Sequence, residues 1–184
     1  MSVNFRHYAW PVSPYSAKTR AYLTFKRIPF VEVQPSAITL FGDIRKAVGA
    51  AVMPTVVTPE GKWMQDSTEI IDALEQRFPR APVTPETPKQ RIAALLLELH
   101  ADEWLPSVAL HYRWNRHENR EFAISEFGRS AFPRLPAALQ KLAVRPVANK
   151  MAGYRAVVGV THATIPGVEA FTQALIVQLE AHFR

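Results

Sequence analysis

The stretch Trp10-Pro-Val-Ser-Pro-Tyr-Ser-Ala-Lys-Thr-Arg20 decides how this chain is read. Val3 to Trp10 reads as a strand, and Pro14 to Arg27 as a helix carrying Ala17, Ala21, Phe25 and Ile28 on its apolar side at helical spacing. Serine is a favoured N-cap and proline a favoured first helical residue, so Ser13-Pro14 marks the boundary on local grounds. In many redox proteins a strand-to-helix junction of this kind carries Cys-x-x-Cys. Here two serines frame a Pro-Tyr pair, and the chain contains no cysteine. Any sulfur used at this junction must therefore belong to a ligand.

Outward from the junction, Phe30 to Val33 is a second short strand, and Ser36 to Val48 is loosely helical, closed by Gly49 in the position that favours a left-handed residue. Val52 to Val57 is apolar and β-branched around Met53-Pro54-Thr55. Thr58-Pro59-Glu60-Gly61 then turns the chain into Lys62-Trp63-Met64, which makes a hairpin. Asp66 takes an N-cap position with Glu69 three residues on, ahead of Ile70, Ile71, Leu74 and Phe78. The order β-α-β-α-β-β-α is the thioredoxin-like arrangement. Residues 1–80 are expected to form that domain, the proline-rich residues 81–87 a linker, and residues 88–184 an all-helical domain.

In the second half, Thr87-Pro88 starts a helix through Leu95, Leu96, Leu99 and Leu105 that Pro106 kinks or ends. Ala109 to Asn119, Phe132 to Val158 with an interruption near Pro146, and Pro166 to Phe183 supply further helices. The last reaches Arg184 without a cap signal, which leaves open that the helical domain is C-terminally incomplete.

The 184 residues are 48% apolar and 21% charged, as in a folded globular protein, and the net charge is +6. Lysine and arginine are scattered among acids with no basic run, which speaks for anionic small molecules and against a nucleic-acid partner. No window approaches the roughly 18 to 20 apolar residues of a membrane span, and Met1 to Arg6 lacks a signal-like apolar run. A cytoplasmic location follows as the expectation.

A hydroxyl at a helix N-terminus can donate to an anion that the helix dipole already favours, so Ser13 either caps the helix or also eases deprotonation of a bound thiol. Ser16, one turn on, is the alternative donor. Tyr15 is a surface aromatic or a pocket wall. Proline at position 54 cannot join a ladder normally; a cis Met53-Pro54 bond would turn the Met53 backbone toward the Ser13 helix end, free to pair with a peptide-like ligand. Asp66-Ser67 can cap its helix and also hold a carboxylate. The histidines and acids between His100 and His117 do not set three ligands on one helical face, so no metal is expected. Tyr112 and Trp114 line an apolar pocket or pack in a core.

The segments S-P-Y-S-A-K-T-R (13–20), V-M-P-T-V-V-T-P-E-G (52–61) and Q-D-S-T-E-I-I-D-A-L-E (65–75) together resemble the N-terminal domain of the glutathione S-transferases over about residues 3 to 79. The resemblance implies a soluble homodimer binding glutathione as co-substrate. Ser13 would stabilise the thiolate as in serine-type members, with Ser16 the alternative. The Met53 backbone before Pro54 would pair with the cysteinyl part, and Asp66 and Ser67 would hold the γ-glutamyl end. The implied chemistry is attack of the thiolate on an apolar electrophile lodged in the helical domain. That domain lacks the Gly-x-x-x-Ser/Thr-x-x-Asp helix-start motif usual in the family. A non-catalytic glutathione-binding or protein-interaction module with the same fold is the alternative.

Overall fold

The computed structural model describes residues 4–184. Strand β1 (Phe5–Tyr8) forms where apolar residues point alternately to two layers; the expected start at Val3 lies outside the described residues. β2 (Phe30–Val33) pairs parallel to β1, with Phe5 opposite Phe30 and Tyr8 opposite Val33. β3 (Thr55–Val57) runs antiparallel to β1, and β4 (Trp63–Gln65) antiparallel to β3, giving the order β2-β1-β3-β4. β3 begins at Thr55, later than the expected Val52, because Pro54 has no amide to give a ladder.

Helices α1 (Pro14–Phe25) and α4 (Ser67–Arg77) cover one face, burying Tyr22, Leu23, Ile70 and Leu74 against Phe5 and Val56. The other face packs Tyr8 and Val57 against Leu40 and Ile44. The latter two come from a short helical run: α2 (Ala37–Thr39), a π-helical turn (Leu40–Ile44) and α3 (Arg45–Val48), ended by Gly49 at φ 83°. This is the thioredoxin-like layering, with a helical half after it.

The expected apolar side of α1 is overturned. Ser16, Thr19, Tyr22 and Leu23 are buried, whereas Ala17 and Ala21 are exposed and Phe25 is 60% exposed. Two of the inner hydroxyls have partners there: Thr19 meets His7 and Tyr22 meets Glu75. The helix also stops at Phe25, since Arg27 turns to φ 53°.

The helical half holds α5 (Pro88–Glu103), α6 (Leu105–Asn115), α7 (His117–Ala131), α8 (Ala137–Val157) and α9 (Ile165–Phe183). The α5–α6 break falls at Trp104, ahead of Pro106. α6 stops four residues short of Asn119, and α7 occupies a stretch with no clear apolar period. α8 starts after Pro136 instead of at Phe132 and continues through Pro146, which costs one helical hydrogen bond without breaking the helix. Among the described residues no helix is long and apolar enough to cross a membrane.

Two compact units divide the chain. One holds the chain up to Val83 together with Ser125–Val144; the other holds Thr84–Ile124 and Arg145–Arg184. Within the first, Trp10 packs on Phe127 at 5.6 Å between ring centroids, and Ser130 Oγ donates to Gln34 Oε1 at 3.3 Å.

Candidate active site at one end of the sheet

Strand register brings three separate segments to the same edge. Tyr8 faces Thr55, and Thr55 faces Gln65. The chain leaves β1 at that edge toward Ser13, enters β3 there from Met53-Pro54, and leaves β4 there into Asp66-Ser67. Two helix N-termini, those of α1 and α4, and one irregular strand entry thus share one end of the sheet.

Ser13 is the N-cap of α1, extended at φ −89°, ψ 118°, and its Oγ accepts from Ser16 N at 3.2 Å. Its hydroxyl proton is engaged in no bond among the described residues, so the group can donate outward while it caps. Ser16 is fully buried, and its Oγ has no hydrogen-bond partner among the described residues. Of the two serines only Ser13 is partly open to a ligand. Tyr15, between them, is 37% exposed.

The Met53–Pro54 peptide is cis; Met53 is half-buried against the Tyr8–Leu40–Ile44–Val57 cluster, and Pro54 is buried. No hydrogen bond engages the Met53 backbone among the described residues. Asp66 caps α4: its Oδ1 accepts from Thr68 N at 2.9 Å and from Glu69 N at 3.3 Å. It does so at φ 71°, a conformation costing a non-glycine residue about 1–3 kcal/mol, so the surrounding bonds must hold it there. Ser67 beside it is buried, whereas Asp66 is exposed.

Sequence reasoning missed two contributors. Lys18 Nζ donates to Thr68 Oγ1 at 3.2 Å, tying α1 to the first turn of α4 and placing a cation beside this edge. Only its position one turn after Pro14 hinted at this. His7 lies fully buried on β1, between Glu32 and Thr19. Burial pushes its imidazole below the ordinary value, outweighing the pull of Glu32 in the other direction. A histidine inside the apolar strand Phe5-Arg-His-Tyr8 was the available signal.

Tyr112 and Trp114 stand on α6, in the other unit. Trp114 is buried; Tyr112 is half-buried, its ring 4.8 Å from that of His111 and under the Arg116 guanidinium at 5.9 Å. In the same unit Glu169 Oε1 accepts from both His111 Nε2, at 2.9 Å, and Arg116, at 2.5 Å, linking α6 to α9.

Comparison with known proteins bears on the domain and the fold. Residues 8–87 match the family model of the glutathione S-transferase N-terminal domain. Among solved structures, the chain resembles a glutathione S-transferase from Methylobacterium radiotolerans in complex with glutathione sulfonate. That match has 20% identity, covers 94% of this chain and 90% of that one, and has a TM-score of 0.53. A glutathione transferase family member from Pseudomonas fluorescens with bound glutathione is 18% identical over 98% and 95% of the two chains, at TM-score 0.53. A glutathione S-transferase from Rhodospirillum rubrum is 15% identical over 86% and 89%, at TM-score 0.55. At these identities the structural likeness is one of fold, and the family match rests on the N-terminal domain. Residues 8–87 thus match the glutathione S-transferase N-terminal domain, and the solved structures share the fold.

Proposed function

We propose that the protein is a glutathione transferase of serine type. The observation that carries the reading is the convergence of Ser13, Met53 and Asp66-Ser67 on one end of the sheet, where two helix N-termini favour anions. Ser13 donates to the glutathione thiolate, the Met53 backbone pairs with the cysteinyl unit, and the α4 start with Asp66 and Ser67 holds the γ-glutamyl end. Lowering the thiol pKa and holding the reactants together are the rate terms at work. Ser16 is the weaker choice of donor because it is fully buried. The electrophile is an apolar small molecule.

The protein works in the cytoplasm as a homodimer, without metal or nucleic acid. Helix α5 supports self-association: Ile92, Leu95, Leu96 and Leu99 are each 50–60% exposed at helical spacing. Its charges are divided, with Lys89 and Arg91 early and Asp102 and Glu103 late, which suits antiparallel pairing with a second copy. The same exposed stripe is what favours the second reading, a glutathione-binding interaction module without turnover. Ser13→Ala separates the two: an enzyme loses turnover toward model electrophiles while it keeps glutathione, whereas a module shows no turnover to lose.

A further inference from the structure

Beneath the Ser13 helix end runs a chain of polar groups that the proposed chemistry leaves without a role. His7 Nδ1 stands 3.1 Å from Glu32 Oε2, and Nε2 stands 2.8 Å from Thr19 Oγ1. Thr19 Oγ1 lies 3.3 Å from Tyr15 O and 3.2 Å from Ser16 O, carbonyls of the first turn of α1. Glu32 is gripped from its other side by Arg20, at 2.5 and 3.0 Å. Phe30 lies against the imidazole at 5.8 Å, edge on, and Val56 pairs with His7 across the β3 ladder. Glu32 and Arg20 are the charged groups set against His7 among the described residues.

Thr19 has one hydroxyl proton and three acceptors within reach. With His7 neutral, the Glu32 carboxylate, which can only accept, fixes the ring proton on Nδ1. Nε2 is then a lone pair, and the Thr19 hydroxyl donates to it. With His7 protonated, both ring nitrogens donate, Thr19 Oγ1 accepts from Nε2, and the hydroxyl proton turns to Tyr15 O or Ser16 O.

We propose that His7 is a positioning residue for the Ser13 helix end: its proton count sets the direction of the His7–Thr19 bond, and so whether the Thr19 hydroxyl proton is held by His7 or by a first-turn carbonyl of α1. The inference rests on the reading of that helix end as the thiolate site. Burial holds His7 below its ordinary value of 6.5, so the arrangement in which Thr19 donates to Nε2 prevails at neutral pH. Protonation at lower pH switches it.

The test follows the ultraviolet absorbance of the thiolate of bound glutathione against pH, with affinity measured in parallel. His7→Leu and Thr19→Val are each expected to cut the thiolate fraction at fixed pH about three- to tenfold, the worth of one hydrogen bond. The double variant should be no worse than either single one, because both remove the same bond. His7→Gln, whose amide can donate to Glu32 and accept from Thr19, should recover part of the loss. It should also lack the inflection in glutathione affinity that protonation of His7 is expected to give the wild type at acid pH. A merely structural role would lower thermal stability without moving the thiol pKa. Should His7→Leu fail to fold, Thr19→Val and His7→Gln decide. Unchanged thiolate fraction and unchanged pH profile in those variants, alongside a loss in Ser13→Ala, would overturn the role of His7 alone. No loss in Ser13→Ala would overturn the site itself, and this inference with it.

Discussion

Lys26 Nζ sits 2.6 Å from Glu75 Oε1 with its side chain only 1% exposed, while the same ammonium donates to Arg80 O at 2.8 Å and Ala81 O at 3.2 Å. Tyr22 OH donates to the same Glu75 oxygen at 2.7 Å, and Val83 N donates to the other at 3.2 Å. α1, α4 and the segment after α4 thus converge on one carboxylate.

Glu75→Gln should therefore destabilise the protein by about 3 kcal/mol, as removing one partner of a buried ion pair does. Burial alone would raise the Glu75 carboxyl, but the bonds from Lys26, Tyr22 and Val83 outweigh it and hold it below its ordinary 4.5. A depressed folded-state value means stability that is present above pH 4.5 and lost as pH falls through the folded value. Denaturant midpoints measured between pH 7 and acid should fall for the wild type and fall less for Glu75→Gln.

At Gly128, α7 passes close to the backbone of α8. A Cβ built there would meet the Gln140 backbone carbon and oxygen at 3.0 Å, so α7 and α8 could not keep their spacing. Gly128→Ala should cost about 1–3 kcal/mol by overpacking, despite alanine's better helix propensity. A thermal midpoint equal to or above that of the wild type would contradict the packing described.

Asp66 combines a cap with a charge, and two substitutions separate these. Asp66→Ala loses both backbone bonds and should cost about 1 kcal/mol of stability, together with weaker glutathione binding. Asp66→Asn keeps an oxygen for Thr68 N and Glu69 N, so stability should hold within about 0.5 kcal/mol while binding still weakens. Equal binding by Asp66→Asn and the wild type would assign Asp66 to capping only.

The N-terminal fold was legible because its boundaries rest on local chemistry: Ser13-Pro14, Gly49, Thr58 to Gly61 and Asp66 each mark an element end in the structure. The buried face of α1 was not legible. Its inner residues include Thr19 and Tyr22, whose partners, His7 and Glu75, are distant in sequence, so apolar periodicity pointed to Ala17, Ala21 and Phe25 instead. Helix α7 escaped for a related reason. Its buried residues Ala123, Ile124, Phe127 and Ala131 sit among charges that blur the period, and the continuation of α8 through Pro146 reflects packing that no local signal reports. Lys18 was unreadable as a site neighbour because its partner Thr68 lies fifty residues away.

The most direct test of the central claim is calorimetric titration with glutathione and with S-methylglutathione, which cannot form a thiolate. A thiolate site at the Ser13 helix end predicts saturable binding of glutathione that weakens for the S-methyl analogue in the wild type, and loses that difference in Ser13→Ala. Equal binding of the two ligands, or binding of neither, would contradict it.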